Sequence, residues 1–155
     1  MALDGHNILI TIESSLLGFP VFLADDGFMR DARKLSRRFR ARDSSFKALD
    51  LIMETLLCLR PGWVSFFLDR PLSKSGLLAE KIREKLSCLG LPGEARLVSS
   101  VDKKLGQGEE IVASADAYLI EKSGQLFDLS GYVIRQKGLF FFSLATHDVA
   151  YSEDR

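Results

Sequence analysis

Five short apolar runs in this sequence end on an aspartate. Asp4 follows Ala2-Leu3, Asp25-Asp26 follow Phe19–Ala24, and Asp69 follows Trp63–Leu68. Asp116 follows the run Glu110–Ala113 and two small residues, and Asp128 follows Gln125–Phe127. Carboxylates gathered in one place repel one another unless a cation stands among them. Mg²⁺ or Mn²⁺ suits that position, because such ions take oxygen ligands and keep several waters. A bound divalent ion lowers the pKa of a water and offsets charge building on a phosphoryl group. Asp4, Asp69 and Asp116 are the leading candidates for both ligation and catalysis, with Asp26 and Asp128 as further ligands. Asn7, three residues after Asp4, could hydrogen-bond a ligand or a metal-bound water. The plainer account is that aspartate is common at strand ends because it caps the next helix. Asp128 in particular has that role open to it. Asp50, inside a predicted helix, reads as a surface residue.

The apolar spacing supplies elements to position these groups. Ile8, Leu9, Ile12, Leu16 and Leu17 mark one face of a helix over 7–17, stopped by Gly18. Asp43-Ser44-Ser45 caps a helix running to Leu59, and a second regular helix spans Ser73–Leu89 before Gly90. Shorter helices are predicted over Ala117–Lys122 and Leu129–Lys137. Strands are predicted over Phe19–Ala24, Trp63–Leu68, Glu94–Val101, Glu110–Ala113 and Gln125–Phe127, with Asp102–Gly108 a loop. The Trp63–Leu68 run is almost wholly apolar, as a strand covered on both faces should be. Strands alternating with helices predict an α/β fold: a three-layer Rossmann-like, mostly parallel sheet with helices on both faces. All strand C-termini then share one edge. Residues 1–138 form that domain, and 139–155 form an apolar then polar tail. A strand usually takes roughly 5 residues, yet only Ala2 and Leu3 separate Asp4 from the initiator. The first strand is therefore expected to be a stub, or the chain to be the C-terminal part of a longer protein.

Composition narrows the partners. Lys+Arg and Asp+Glu are each 21 in 155 residues, so net charge alone selects none. The basic residues are uneven, however: Arg30, Arg33, Lys34, Arg37, Arg38, Arg40 and Arg42 fall within one stretch whose only acid is Asp31. Such a stretch can contact phosphates, which makes Arg30, Arg33, Arg37, Arg38 and Arg40 candidate nucleic-acid contacts; a solvated connection is the alternative. No apolar run approaches the length of a membrane span and no signal peptide is visible, so a cytoplasmic protein without membrane association is expected. Cys58 and Cys88 sit in helix-like apolar patterns and read as buried, reduced thiols. No C-x-x-C occurs and His6 and His147 are far apart, which argues against structural zinc.

Other chemistries lack their motifs. There is no G-x-G-x-x-G after the first strand, and Gly106-Gln107-Gly108 has no third glycine, so dinucleotide binding is disfavoured. No G-K-[ST] follows a glycine-rich loop. A G-x-S-x-G elbow is absent, and neither histidine is an evident partner for a Ser or Cys nucleophile. A phosphatase using Asp69 as nucleophile would want a second aspartate where Pro71 stands.

Leu3-Asp4-Gly5-His6-Asn7 resembles the opening V-D-G-x-N of PIN-like and NYN-type nuclease domains. Ile111–Ile120 (I-V-A-S-A-D-A-Y-L-I) is similar to their later strand, which runs through a small residue and an aspartate into a helix; Phe127-Asp128-Leu129 is similar to the strand after it. The stretches Ala24–Asp31 (A-D-D-G-F-M-R-D) and Phe67–Pro71 (F-L-D-R-P) resemble a prokaryotic family in which a PIN-like C-terminal domain follows a small N-terminal domain of unknown function. The resemblance covers nearly all of Asp4 to Lys137. It implies a PIN-like fold and a Mg- or Mn-dependent site that cuts RNA or another nucleic acid. On its pattern Asp4, Asp69 and Asp116 face the metal, with Asp25 or Asp26 and Asp128 as further ligands. It also implies an N-terminal companion domain outside this chain, and pairing into a homodimer, for which Leu139–Ala145 is the candidate contact. The alternative function is a non-catalytic domain of the same fold that binds nucleic acid or protein.

Overall fold

A computed structural model describes residues 1–33, 39–72, 74–105 and 110–143. In chain order the elements are β1 (Ala2–Asp4), α1 (Gly5–Leu16), β2 (Val21–Leu23), β3 (Met29–Asp31), α2 (Asp43–Leu59), β4 (Val64–Asp69) and α3 (Ser75–Leu89). They continue with β5 (Gly93–Val98), α4 (Val101–Lys104), β6 (Val112–Ala113), α5 (Ala117–Lys122), β7 (Leu126–Phe127), α6 (Leu129–Gln136) and β8 (Phe142–Ser143). Five of the strands make one parallel sheet in the order β5-β4-β1-β6-β7. The fold is α/β with a Rossmann-like layout, as the alternation of strand and helix predicts.

The three-residue β1 is the central strand. It pairs with β4 on one side (Leu3 opposite Phe66) and with β6 on the other (Leu3 opposite Ala113). Its first two residues, Ala2 and Leu3, are wholly buried. Strand alternation sorts the side chains onto two faces. Leu3, Val64, Phe66 and Leu68 enter the larger core, built with α1, α2, α3 and α6. Ala2 and Phe67 enter a smaller core with Val101, Leu105 and Leu119, from α4, its C-terminal end and α5. Helix α1 lies so deep that every residue from Gly5 to Ser15 except Asn7 is buried. Its buried Glu13 accepts hydrogen bonds from Ser44 and Ser45 at the start of α2, so an interior carboxylate is matched by two hydroxyls.

Three expectations need correcting. Phe19–Ala24 does not supply a strand of the parallel sheet. Its core, β2, belongs to a separate three-stranded sheet, antiparallel to β3 and parallel to β8. The cause is the Asp25-Asp26-Gly27 tip, a hairpin turn in which Gly27 takes φ +85° and the Asp26 carboxylate accepts the Phe28 N–H at 3.1 Å. Asp25 and Asp26 are therefore not on the shared edge. Second, the predicted loop after β5 begins with a helical turn, α4. Third, Cys58 and Cys88 are exposed. The inward stripes of their helices run through Leu49, Ile52, Met53 and Leu56, and through Leu78, Ala79, Ile82 and Leu86, and both thiols fall off those stripes. Within the apolar tail, Phe142–Ser143 pair with β2, while 144–155 lie outside the described residues. Among the described residues no helix is long and apolar enough to cross a membrane.

The junction of β1 and α1 leaves no room for a side chain at Gly5. A Cβ there would stand 2.6 Å from Leu68 Cδ2 and 3.1 Å from the Phe67 carbonyl oxygen. Gly5→Ala is expected to destabilise the fold by about 1–3 kcal/mol through overpacking, read as a lower urea midpoint. An unchanged midpoint would contradict the close approach of α1 to β4.

Candidate functional site

Chain order along the sheet runs outward from β1 through β4 to β5, then resumes beyond β1 with β6 and β7. The reversal falls between β1 and β6. A sheet of this kind opens a crevice beyond the strand C-termini at such a point. Here it is a cleft of about 270 Å³ lined by Asp4, His6, Asn7, Asp69, Pro71, Leu72, Asp102 and Asp116. Asp4 comes from the end of β1, Asp69 from the end of β4, Asp116 from the segment after β6, and Asp102 from α4.

Asp4, His6, Asn7, Asp69 and Asp116 each accept a hydrogen bond from a backbone N–H. Asp4 caps α1: its Oδ1 accepts the Asn7 N–H at 3.2 Å, and its Oδ2 accepts from Ser114 Oγ at 3.1 Å. Ser114 Oγ in turn accepts the Asp116 N–H at 3.1 Å, so one hydroxyl links the first and last of the leading carboxylates. Asp116 caps α5 by accepting the Tyr118 N–H at 2.8 Å. Asp69 Oδ1 accepts the Val101 N–H at 3.0 Å and so fixes the first turn of α4. Asn7 Oδ1 accepts the Ala115 N–H at 3.1 Å, and His6 Nδ1 accepts the Asp69 N–H at 3.2 Å. Two adjacent residues of α1 thus tie it to both flanking strand ends.

The electrostatics are one-sided. Among the described residues, no lysine or arginine lines the cleft. Burial raises the Asp4 carboxyl to about 7, and the charges of Asp102 and Asp69 push in the same direction. Burial also raises Asp102, with Asp116 and Asp69 adding to the effect. His6 is lowered to about 4 by burial, against the pull of Asp69, and is a neutral imidazole at neutral pH. Among the described residues the cleft therefore has hard oxygen donors, surplus negative charge and no cationic side chain on its wall. That donor set fits Mg²⁺ or Mn²⁺. Among the described residues, no group of three or more His, Cys, Asp or Glu side chains is arranged to hold one ion. Mg²⁺ ordinarily takes one or two carboxylates and fills its shell with water.

Of the residues singled out in the sequence, Asp4, Asn7, Asp69 and Asp116 are brought together. Asp26 and Asp128 are not part of the cleft wall. Asp26 is ion-paired with Arg30, which holds it below the usual carboxylate range. Asp128 caps α6 through the Gly131 N–H at 2.8 Å and accepts the Met29 N–H at 3.0 Å. Arg30 also donates to the Ala115 carbonyl at 2.9 Å, which fastens the hairpin to the cleft wall. Arg33 pairs with Asp31, and its guanidinium stacks 3.9 Å from the Phe19 ring centroid. Both arginines are thus engaged within the fold. Arg40 is exposed, and Arg37 and Arg38 lie outside the described residues. Sequence reasoning missed Asp102 as a cleft residue and Ser114 as the hydroxyl behind Asp4, and gave His6, within the Asp4–Asn7 stretch, no role. Ser100-Val101-Asp102 carried a usable signal, a helix N-cap residue with an acid in the first turn.

The family described as a domain of unknown function, DUF5616, matches residues 1–132, and the chain belongs to it. The chain is also similar to an uncharacterized protein of Methanocaldococcus jannaschii, with 35% identity over 119 residues; the match covers 77% of this chain and 56% of that relative, so it spans little more than half the relative's length. No solved structure matches it.

The buried carboxyl gives the fold a pH signature. Asp4 titrates at about 7 in the folded chain against an ordinary 3.8. Between those values the folded state holds a proton that the unfolded state has lost. Its contribution to stability is complete below pH 3.8 and fades as pH rises through 7. His6 has the opposite sign: neutral in the fold, it contributes fully above 6.5 and loses that contribution as pH falls through 4. Asp4→Asn keeps the cap and removes only the first dependence. In chelator, the variant should gain on the wild type as pH rises from 4 to 8, by roughly 4 kcal/mol at most, measured by urea unfolding at each pH. Parallel stability curves would contradict the burial of a titrating Asp4.

Proposed function

We propose that this member of the DUF5616 family is a metal-dependent phosphodiesterase of PIN-like fold that hydrolyses RNA at the carboxylate cleft. The observation that carries this reading is the cleft itself, lined by Asp4, Asp69, Asp102 and Asp116 with no lysine or arginine among the described residues that line it. Maintaining that much negative charge around a carboxyl already raised to about 7 is unfavourable unless a cation is the intended occupant. Asp4 with one of Asp69 and Asp116 would hold Mg²⁺ or Mn²⁺, water completing the shell, with Asp102 and the remaining aspartate on the same cleft wall. When bound, such an ion supplies an activated water and offsets charge on the phosphoryl oxygens.

The chain's own residues supply positioning. Ser114 orients Asp4 and the Asp116 backbone together. The Asn7 amide oxygen is occupied by Ala115, which leaves its NH₂ to donate to a phosphate oxygen. Pro71 and Leu72 form the apolar part of the rim. Arg40, with Arg37 and Arg38 of the same run, would follow the phosphate backbone.

A second reading has one observation in its favour. Asp4 and Asp116 each cap a helix, so the carboxylates have a structural use without any ion. On that account the chain binds nucleic acid or protein and cuts nothing. Cleavage of a mixed RNA and DNA pool with added Mg²⁺ or Mn²⁺ separates the two. The catalytic reading expects metal-dependent RNA cleavage that falls at least about hundredfold in Asp116→Asn. Cleavage that survives this substitution would remove the proposed site. A binding module would show no metal effect, and would lose RNA affinity only on charge reversal of Arg37, Arg38 and Arg40.

A further inference from the structure

We propose that Asp26 is a screening residue for the cleft: by pairing with Arg30 it keeps that guanidinium from engaging Asp116, so that a divalent cation meets no competing positive charge there. The inference rests on the reading of the cleft as a cation site, and it gives a role to a carboxylate that is not part of the cleft wall.

Arg30 stands one peptide unit from the cleft. Its Nε donates to the Ala115 carbonyl at 2.9 Å, and that carbonyl shares a peptide unit with the Asp116 N–H, which Ser114 Oγ accepts at 3.1 Å. A guanidinium in this place is a hazard to a cation site. It keeps its charge throughout the working pH range, and it is drawn to any carboxylate oxygen left free. Asp116 has such an oxygen. Its Oδ1 accepts the Tyr118 N–H at 2.8 Å, and its Oδ2 accepts no hydrogen bond among the described residues.

Asp26 takes up the guanidinium instead. Arg30 Nη1 donates to Asp26 Oδ1 at 2.9 Å, and Nη2 donates to Oδ2. Two parallel bonds of this kind make the strongest pairing of the two groups. The hydrogen bond to Asp26 is also the main cause that holds Arg30 above its usual range, with smaller additions from the charges of Asp25 and Asp116. Arg30 thus interacts with Asp116 from where it stands. Its charge acts on Asp128 as well, but both oxygens of Asp128 are taken, by the Gly131 and Met29 N–H groups. Asp25 lies exposed on the turn. The Arg30 side chain keeps 21% of its surface, so water screens its charge only in part. With the Asp26 charge removed, the free oxygen of Asp116 is the partner that faces Arg30 from the cleft.

The test is Mn²⁺ binding to the full 155-residue chain, followed by isothermal titration calorimetry at low ionic strength. Asp26→Asn removes the charge and keeps the turn, since an asparagine oxygen also accepts the Phe28 N–H. It should bind Mn²⁺ about threefold to tenfold more weakly than the wild type, with its urea midpoint little changed. Added salt should shrink the difference. Arg30→Gln placed in the Asp26→Asn background removes the unscreened charge, while Asn7 and Ser114 still hold the segment before Asp116. That double variant should regain most of the lost affinity. Asp26→Ser, whose hydroxyl suits the same turn position, provides the same comparison if Asp26→Asn does not fold. A wild-type chain that binds no Mn²⁺ overturns the cation reading of the cleft and this inference together. Wild-type binding that Asp26→Asn matches overturns the inference alone. A double variant as weak as Asp26→Asn does so too, because Asp26 would then act through the turn and not through Arg30.

Discussion

Asp4 ends the central strand with its side chain 5% exposed, and two hydrogen bonds, from Asn7 N–H and Ser114 Oγ, are what the fold gives it in return. A carboxylate in that position loses most of its hydration, which is why its pKa is raised to about 7. The neighbourhood follows from this constraint. Gly5 lets α1 start directly against β4, so the helix N-terminus, with its partial positive charge, faces the carboxylate. Ser114 must lie beside Asp4, which sets where the segment after β6 enters α5. Neutrality at Asp4 can come from a proton or from a cation, and a cation would release the proton on binding.

The strand-end aspartates differ in how many of their oxygens the fold engages. Asp116 gives Oδ1 to the start of α5, and Asp69 gives Oδ1 to the first turn of α4; the remaining oxygens accept no hydrogen bond among the described residues. Asp128 differs because both of its oxygens are taken, one by Gly131 and one by Met29. Asp4 also has both oxygens engaged, by the Asn7 N–H and by Ser114 Oγ, so an ion bound there would share an oxygen with one of these donors.

Much of the framework was legible because it depends on periodicity. The almost wholly apolar run ending at Asp69, the long helices over 43–59 and 75–89, and the alternation of strand and helix all leave the marks expected of a buried parallel sheet. The short β1 was legible only as an apolar stub, since three residues carry no period; its central place comes from pairing on both sides. The Asp25-Asp26-Gly27 turn carried a hairpin signal that the apolar run before it obscured, and this removed Asp26 from the shared edge. The cleft itself was half legible. Asp4, Asp69 and Asp116 follow apolar runs, whereas Asp102 follows a break, and its contribution depends on α4 folding back under the Asp69 carboxylate. That His6 Nε2 has no hydrogen-bond partner among the described residues could not be read at all, because it depends on which nitrogen meets the Asp69 N–H.

Anomalous scattering from crystals grown with Mn²⁺ tests the central claim most directly. The account predicts a peak inside the cleft, bonded to oxygens of Asp4 and at least one of Asp69, Asp102 and Asp116, with water completing the shell. A well-phased map with ordered cleft side chains and no peak there, each carboxylate bonded only to backbone N–H groups, Ser114 and water, would contradict it.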